Sequence, residues 1–295
     1  MVRHALDGLV EARGSLLVIA DFDGTLSPGS RDPAAAAIEP SARRAMRRLA
    51  GVAAERPDRL HVTILTGRTV ADVANRARIG GIGYLGDHGL QEATLPRHGR
   101  ASTLRPLPQR GYDIQAHAAD ILADGVAREL GFPAWLFVER KGPSVAFHVR
   151  QADDIPAART AVLAAIASVE RSSGLGDHGL APYRGRSVVD LRPATAGGKR
   201  DAVTRLIARH APAAVLVLGD DVSDADAFDA VIEARATGRI ALGLTVAVHG
   251  RLVAPPEVLE RADVVVRSSR EVGRLLAALA RRLETEAGDV SRERV

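Results

Sequence analysis

The strongest constraint on the fold is the apolar run at residues 16–19, which leads directly into the acidic turn Asp21-Phe22-Asp23-Gly24-Thr25-Leu26. Four apolar residues without alternation predict a strand buried on both faces, as in a parallel α/β sheet. Such sheets bind ligands at the carboxyl ends of their strands. Asp21 and Asp23 point the same way in an extended chain, and their charges repel unless a cation or shared proton is present. The turn is therefore a candidate ligand site, although Asp-x-Asp-Gly is also ordinary turn chemistry.

The rest of the chain alternates strands and helices in a pattern typical of a right-handed parallel sheet. Between residues 96 and 108 the composition changes to Pro, Arg and Ser without periodicity, which indicates a domain boundary. We therefore predict an α/β fold with a Rossmann-like core and a smaller inserted domain of α-β-β-α-β-β order. The predicted parts are a first core segment at 1–106, an insertion at 107–190, a second core segment at 191–284 and a frayed charged tail at 285–295.

The amino-acid composition excludes several classes of function. The net charge of +4 is compatible with nucleic acid, but aromatic residues make up only 3% and the arginines are scattered along predicted helices. The absence of cysteine excludes disulfides and thiolate metal sites. The chain starts without the apolar core of a signal peptide, and no run approaches the ~20 residues of a membrane span. We expect a cytoplasmic protein that binds neither nucleic acid nor membrane, and a small anionic substrate suits its charge.

Lysine is almost absent. Of 40 basic residues only Lys141 and Lys199 are lysines. Arginine and lysine differ in shape and hydration, so a retained lysine can mark a site that needs a compact ammonium group. Lys199 follows two glycines at the predicted start of a helix, where its charge would balance nearby anions.

Two further strand ends carry polar side chains. Thr66 follows a second buried strand, with Gly67 and Arg68 after it, and its hydroxyl is able either to bind a phosphoryl oxygen or to cap a helix. A third predicted strand, at residues 215–218, is followed by Gly219 and then by three carboxylates, Asp220, Asp221 and Asp224.

Together with Asp21 and Asp23 these make five acidic groups expected at one sheet edge. They would repel each other unless they hold a hard cation. Oxygen ligands without imidazole or thiolate favour Mg²⁺. A cap for the following helix is the alternative for the later aspartates, and the two roles are compatible.

These stretches suit phosphoryl transfer through an aspartyl-phosphate intermediate, with Mg²⁺ and a lysine neutralising the transferred group. Asp-x-Asp-Gly-Thr-Leu, Thr66, Lys199 and Gly-Asp-Asp-x-Ser-Asp resemble the four motifs of the haloacid dehalogenase superfamily. More narrowly, the chain resembles the trehalose-6-phosphate phosphatase family. The matching segments are Thr66-Gly67-Arg68, Gly86-Asp87-His88-Gly89, Val138-Glu139-Arg140-Lys141-Gly142, His148-Val149-Arg150, Arg192-Pro193 and residues 220–228.

The resemblance implies hydrolysis of trehalose 6-phosphate, with the inserted domain as a cap that closes over the sugar. It implies these catalytic roles: Asp21 as nucleophile, Asp23 as general acid and base, and Thr66 and Lys199 as phosphate contacts. The implied Mg²⁺ ligands are Asp21, the Asp23 carbonyl and Asp220, with Asp221 and Asp224 around them. The implied substrate-binding residues are Gly67, Arg68, His88, Glu139, Lys141, His148 and Arg150. For Glu139 and Lys141, an exposed hairpin ion pair of little energetic value is the alternative.

Three positions depart from the family pattern, because Gln91 and Ala225 each stand where a Glu is usual and Arg200 stands where a Gly is usual. None of them removes a group that makes or breaks bonds. Other readings therefore stay open: a phosphatase of sucrose phosphate or a glycosylglycerate phosphate, a phosphomutase, a phospho-receiver domain, or an inactive sugar-phosphate sensor. Functional pairing with a trehalose-phosphate synthase is a further expectation. The sequence does not indicate the oligomeric state or the regulation.

Overall fold

The structure is a computed structural model, which describes residues 2–30, 32–107, 111–184, 187–250 and 254–293. Its strands are β1 (Leu16–Ala20), β2 (Leu60–Leu65), β3 (Ile82–Gly86), β4 (Gln91–Leu95), β5 (Phe137–Arg140), β6 (Val145–His148), β7 (Leu180–Arg184), β8 (Val188–Pro193), β9 (Ala214–Gly219), β10 (Leu242–Val248) and β11 (Val264–Val266). Its α-helices are α1 (Val2–Glu11), α2 (Pro40–Glu55), α3 (Val70–Ala77), α4 (Asp113–Glu129), α5 (Ile155–Ser173), α6 (Gly198–His210), α7 (Val222–Ala236), α8 (Pro256–Glu260) and α9 (Ser269–Glu293). Short 3₁₀ helices lie at Pro33–Ala35, Asp87–Gly89 and Ala101–Thr103.

The chain divides into two compact units. The core unit comprises Met1–Ser30, Ala34–Leu107 and Gly197–Val295, and the inserted unit comprises Arg31–Pro33 and Pro108–Ala196. Among the described helices, none is both long and apolar enough to cross a membrane.

The core unit is built on a seven-stranded sheet in the order β11-β10-β9-β1-β2-β3-β4. Every neighbouring pair is parallel except β3 with β4. All five residues of β1 are buried. Leu16 and Val18 pack in one apolar cluster with α1, α2 and α9, whereas Leu17 and Ile19 pack in a second cluster with α6 and α7. The predicted strand buried on both faces is confirmed.

The register of the sheet places the candidate site. Ala20, the last residue of β1, pairs with Ile64 of β2 and with Leu218 of β9. The residues that follow these strands, Asp21, Thr66 and Asp220, therefore emerge at the same carboxyl edge.

The inserted unit contains an antiparallel sheet in the order β5-β6-β8-β7, with α4 and α5 on one face. Successive side chains of a strand point to opposite faces. Val145 and Phe147 of β6 and Val189 and Leu191 of β8 are accordingly buried against the two helices. The intervening residues project from the other face. We call it the open face of the inserted sheet because α4 and α5 cover the opposite one, although Ala146 and Asp190 on it are themselves buried.

The structure adds elements that the sequence pattern does not reveal. Gln91–Leu95 forms an antiparallel edge strand, which lacks the continuous apolar run of the central strands. The last helix does not end at residue 284 but continues to Glu293. The guanidinium of Arg56 lies 3.0 Å from the Glu286 carboxylate, so contacts with the rest of the core unit extend past the predicted boundary.

Candidate active site

Lys199 is the central positive charge of the site. It lies in the first turn of α6, and its side chain is only 3% exposed. Its ammonium donates hydrogen bonds of 2.7 Å to Asp21 Oδ1 and 2.7 Å to Asp224 Oδ1. Burial alone would lower the pKa of Lys199, but the two carboxylates outweigh burial and raise it. Lys199 therefore stays charged across the physiological range, which confirms that this rare lysine balances buried anions.

Three carboxylates share this single ammonium. Asp21, Asp220 and Asp224 each present an oxygen atom to one cluster, and these atoms all lie within 4.8 Å of one another. Burial and the neighbouring negative charges raise the pKa of both Asp21 and Asp220. The negative charge exceeds what Lys199 neutralises, so the cluster favours binding of a further cation.

The residues after Asp23 are small because the chain approaches Asp220 closely. Gly24 has a φ of +86°, and a Cβ at this position would lie 2.0 Å from Asp220 Oδ2. Thr25 donates its hydroxyl to Asp220 Oδ1 at 3.3 Å. The Asp-x-Asp-Gly-Thr pattern is therefore used to bring two strand ends together, and not only to make a turn.

Asp224 and Asp221 have different roles. Asp224 Oδ1 accepts from Lys199, and its Oδ2 accepts from the backbone N–H groups of Asp220 and Asp221 at 3.0 and 3.1 Å. Asp221 is the N-cap of α7, and its Oδ1 accepts from Val222 N at 2.9 Å. The structure thus leaves Asp221 outside the three-carboxylate cluster. Asp224 belongs to the cluster, but both of its oxygens are already hydrogen-bonded.

The Asp23 carboxylate also lies outside this cluster and is bound by Arg68. Arg68 donates Nε to Asp23 Oδ2 at 2.5 Å and Nη2 to Asp23 Oδ1 at 2.8 Å, and its Nη1 reaches Asp72 at 2.6 Å. The Asp23 side chain remains 45% exposed. Burial would lower the pKa of Arg68, but the two carboxylates raise it. In this structure Arg68 therefore holds the expected acid–base residue.

Thr66, Gly67 and His88 form one tightly packed wall. Thr66 is buried, and its hydroxyl accepts from Arg68 N at 3.2 Å. A Cβ on Gly67 would lie 2.7 Å from His88 Nε2, so the two residues are in direct contact. Asp87 and His88 both have positive φ angles, 49° and 54°, which are strained for residues other than glycine. Such strain is common at functional sites.

The three departures from the family pattern lie in well-defined places. Gln91 accepts from Val70 N at 2.9 Å and so caps the first turn of α3. Arg200 is half-exposed and donates to Glu233 of α7 at 2.7 Å. Ala225 is buried in the apolar cluster between α7 and the sheet. Each of them has a contact that accounts for it within the core unit.

The donor set fits Mg²⁺ better than a softer metal. Within the described residues, Asp220 Oδ2 accepts no hydrogen bond and remains available as a ligand. Asp21 Oδ1 accepts one hydrogen bond, from Lys199, and its second lone pair remains available to the same ion. Carboxylate oxygens without sulfur or imidazole favour a hard divalent cation. Asp21 and Asp220 would hold the ion, and Asp224 would orient Lys199 and the loop after β9.

We expect Asp220→Asn to remove most of the stabilisation that Mg²⁺ confers, because it takes one anionic ligand from the cluster. In metal-free buffer the same variant should melt at or above the wild-type temperature, since it relieves repulsion with Asp21. Thermal melts with and without Mg²⁺ check both effects. Asp229→Asn, in the middle of α7, is the matched control and should keep the full response. An unchanged Mg²⁺ response in Asp220→Asn would remove Asp220 from the ligand set.

A second polar cluster lies on the open face of the inserted sheet. His148 Nε2 lies 2.9 Å from Glu139 Oε2, and Lys141 Nζ lies 4.0 Å from the same oxygen and 3.6 Å from Asp190 Oδ1. Lys141 is 5% exposed, so the alternative of a solvated hairpin pair is wrong. Arg150 is half-buried and lies two residues beyond the end of β6.

Sequence reasoning missed part of this open-face cluster. Asp190 is buried beside Lys141, and Arg192 lies 3.3 Å from Asp190 with its guanidinium 3.7 Å from the centre of the Tyr183 ring. The alternation of Asp190 and Arg192 with the apolar residues of β8 was the available signal. It indicates that these two side chains share a face.

Comparison with known proteins supports the fold and the family. A family model described as trehalose-phosphatase matches residues 19–249. The trehalose-phosphate phosphatase of Mycobacterium marinum is 38% identical over 233 residues, covering 76% of this chain and 53% of that protein. That of Mycobacterium tuberculosis is 35% identical over 234 residues, with the same coverage of 76% and 53%. This chain therefore spans about half the length of the curated relatives it matches.

Solved structures agree on the fold. The C-terminal domain of C. albicans trehalose-6-phosphate phosphatase matches with a TM-score of 0.68 and 20% identity, covering 95% of both chains. A haloacid dehalogenase-like hydrolase from Bacteroides thetaiotaomicron matches with a TM-score of 0.57 and 14% identity, covering 90% of this chain and 98% of that one. The predicted haloacid dehalogenase-like α/β fold is confirmed.

Proposed function

The chain belongs to the trehalose-phosphatase family, and we propose that it is a Mg²⁺-dependent phosphatase that hydrolyses trehalose 6-phosphate to trehalose and phosphate. One observation carries the proposal. Asp21 lies at the end of a buried strand with one oxygen on Lys199 and the other accepting no hydrogen bond from the described residues. That second oxygen is a nucleophile held beside a fixed positive charge.

The proposed reaction has two steps. In the first, Asp21 Oδ2 attacks the phosphorus atom, the bond from phosphorus to the sugar oxygen breaks, and Asp23 gives that oxygen a proton. In the second, Asp23 takes a proton from water, which attacks the aspartyl phosphate and releases phosphate with Asp21 restored. A bound Mg²⁺ supplies positive charge against the phosphoryl oxygens. Lys199 and the Thr66 hydroxyl stabilise the same oxygens as charge develops on them.

The ion pair between Arg68 and Asp23 suggests how the acid–base residue is released. Both carboxylate oxygens of Asp23 are held by the Arg68 guanidinium. A phosphate dianion offers that guanidinium an alternative bidentate partner. Arrival of substrate would then draw Arg68 away and free Asp23 to take up from solvent the proton that it later gives to the sugar oxygen. Arg68 thereby acquires the phosphate contact that the sequence motif implies.

The open-face cluster of the inserted unit is the proposed sugar-binding surface. Glu139, Lys141, His148 and Asp190 present donors and acceptors side by side on one face of the sheet. Sugar hydroxyls are recognised by such convergent polar groups, and a buried polar pair left unmatched is costly. The same reasoning admits another glycosyl phosphate as substrate, since these residues decide the sugar. Functional pairing with a synthase and a cytoplasmic location stay predictions.

Phosphate release with Mg²⁺ from a substrate panel tests the proposal. The panel contains trehalose 6-phosphate, sucrose 6-phosphate, glucose 6-phosphate, a glucosylglycerate phosphate and p-nitrophenyl phosphate. We expect kcat/KM for trehalose 6-phosphate to exceed the others by about 100-fold or more, which corresponds to ~2.7 kcal/mol of transition-state discrimination. Preference for another glycoside phosphate would keep the reaction and change the sugar. Release from none of them, with Mg²⁺ still bound, would point to a sensor.

We expect Lys141→Met to separate sugar recognition from phosphate chemistry. Loss of the ammonium leaves Glu139 and Asp190 without their shared cation, so contacts with the sugar hydroxyls should weaken. The KM for trehalose 6-phosphate should rise about 10-fold or more, while kcat/KM for p-nitrophenyl phosphate changes less than about 2-fold. Arg140→Met is the control. Arg140 is the residue before Lys141, but it forms its ion pair with Asp120 of α4. Equal effects on both substrates would make Lys141 a structural residue.

A further inference from the structure

A cavity of about 620 Å³ in the core unit is lined by positive charge. Its basic lining residues are Arg47, Arg78, Arg97, His98 and Arg100. The remaining lining residues are small, apolar or neutral, and none is acidic. We propose that this cavity is a second anion site, which binds a small polyvalent phosphate compound. Its volume lies within the range of about 300–1,000 Å³ that is usual for small-molecule sites.

The cavity lies at the edge of the sheet opposite the candidate active site. Gly80 comes just before β3, and Leu95 ends β4 opposite Ile82, the first residue of β3. The active-site residues follow the other ends of the parallel strands. The five residues of β3 span about 17 Å at ~3.3 Å per residue, so the two sites are separate.

Three of the arginines that line the cavity are not paired with described carboxylates. Arg47, Arg78 and Arg97 form no ion pair with any carboxylate in the described part of the chain, whereas Arg48, adjacent to Arg47, is paired with Glu284. Burial lowers the pKa of the neighbouring Arg43, and the positive charges of Arg47 and Arg78 lower it further. Like charges therefore accumulate at this place, and an anion would relieve their repulsion.

Hydrogen bonds to the backbone account for only some of the arginines in the cavity. Arg47 Nη2 donates to the carbonyl of Arg78 at 3.1 Å, and Arg78 Nε donates to the carbonyl of Asn75 at 3.1 Å, so both help to close the end of α3. A guanidinium has five N–H groups, and the others are available to a ligand. The Arg97 side chain makes no hydrogen bond to the described residues, so unlike Arg47 and Arg78 it does not help to close the end of a helix.

The backbone beneath Arg97 is held in place. A Cβ on Gly80 would lie 2.4 Å from the carbonyl oxygens of Pro96 and Arg97, so the two segments are in direct contact. Gly81 N also donates to the Leu95 carbonyl at 2.7 Å, and Gly99 N donates to the Pro96 carbonyl at 2.8 Å. The turn that carries Arg97 and His98 is thus fixed against the start of β3.

The side chains indicate the class of ligand. Planar guanidinium groups bind phosphate through two parallel hydrogen bonds, and several of them together match an anion with several charges. Among the described lining residues His98 carries the only ring, so they form no platform on which successive bases would stack. These features favour a pyrophosphate group, either free or as part of a nucleoside polyphosphate, over a nucleic acid strand.

Calorimetric titration of the full chain with inorganic pyrophosphate tests the proposal, in low-salt buffer with chelator so that divalent metal does not recruit the ligand to the acidic cluster. The cavity variant combines Arg47→Gln with Arg97→Gln. The control combines Arg44→Gln with Arg274→Gln, two exposed arginines outside the cavity that remove the same charge. We expect one binding site in the wild type, a Kd raised about 10-fold or more in the cavity variant, and a change below about 2-fold in the control. Arg97→Gln alone, which breaks no hydrogen bond, should give part of the loss.

Other outcomes decide against the site. Absence of saturable binding, or equal weakening by both double variants, would show that only the general surface charge is involved. Titration with ATP distinguishes a nucleotide ligand from free pyrophosphate, and cavity-dependent binding of either supports the proposal. Single-stranded DNA about 20 nucleotides long, if bound more tightly than either and lost in the cavity variant, would replace the small ligand by nucleic acid.

Discussion

Asp21→Asn is expected to reduce kcat for trehalose 6-phosphate by at least about 10⁴-fold, because the amide that replaces the carboxylate is a very weak nucleophile. The same variant should be as stable as the wild type, or more stable, in metal-free buffer at neutral pH. Burial and the charge of Asp224 raise the pKa of Asp21, so the ionised carboxylate is an unfavourable group in the folded protein. Phosphate release and thermal melts measure the two effects.

The control for Asp21→Asn is Asp201→Asn in the first turn of α6. Asp201 is exposed and forms a 2.7 Å ion pair with Arg205, four residues along the same helix. Its replacement by Asn should change kcat less than about 2-fold, since surface pairs of this kind contribute little. If Asp21→Asn retained more than about a tenth of the wild-type kcat, Asp21 would not be the nucleophile.

Lys199→Met is expected to lower both activity and stability. Removal of the ammonium leaves three carboxylates without a described cation, and an uncompensated buried charge costs about 3–5 kcal/mol. The value of kcat should fall about 10³-fold or more, because stabilisation of the phosphoryl oxygens is lost. Denaturant unfolding and phosphate release check these expectations, and Arg205→Met on the same helix is the control.

The pH dependence of Lys199→Met identifies the cause of its instability. In the folded protein the pKa values of Asp21 and Asp220 are raised above their model-compound value of 3.8. At a pH between the unfolded-state and the folded-state pKa of each group, the folded protein binds more protons than the unfolded chain. Both carboxyl groups therefore favour folding increasingly as the pH falls. Lys199 normally lowers the pKa of Asp21, and without it the pKa rises further. The variant should regain stability relative to the wild type as the pH falls from neutrality towards the model-compound value of 3.8. A constant difference across this range would assign the loss to packing instead.

The sequence predicted the core of the site well because its signals are local. An apolar run followed by polar residues identifies a strand end, and the parallel order of the strands brings those ends to one edge. Asp21, Thr66 and Asp220 were found in this way. The scarcity of lysine was equally informative, since Lys141 and Lys199 are both buried and both paired with carboxylates.

The partners of each side chain were decided by the tertiary structure. Arg68 binds Asp23, 45 residues earlier in the chain, although the sequence motif suggested a phosphate contact. Asp221 caps α7, and Asp224 takes the place in the carboxylate cluster instead. These choices depend on which rotamer and which backbone N–H groups lie within hydrogen-bond distance. No periodicity in the sequence encodes them.

The sequence by itself therefore determined the fold class, the edge of the sheet that carries the chemistry, and the residue types that meet there. Only the folded chain decided that Gln91 caps a helix, that Asp190 joins Lys141 on the open face, and that arginines from α2, from the C-cap of α3 and from the turn after β4 line one cavity. The physical reason is the range of the interactions. Hydrophobic periodicity acts over a few residues, whereas hydrogen bonds and charges act between side chains that become neighbours only after the chain has folded.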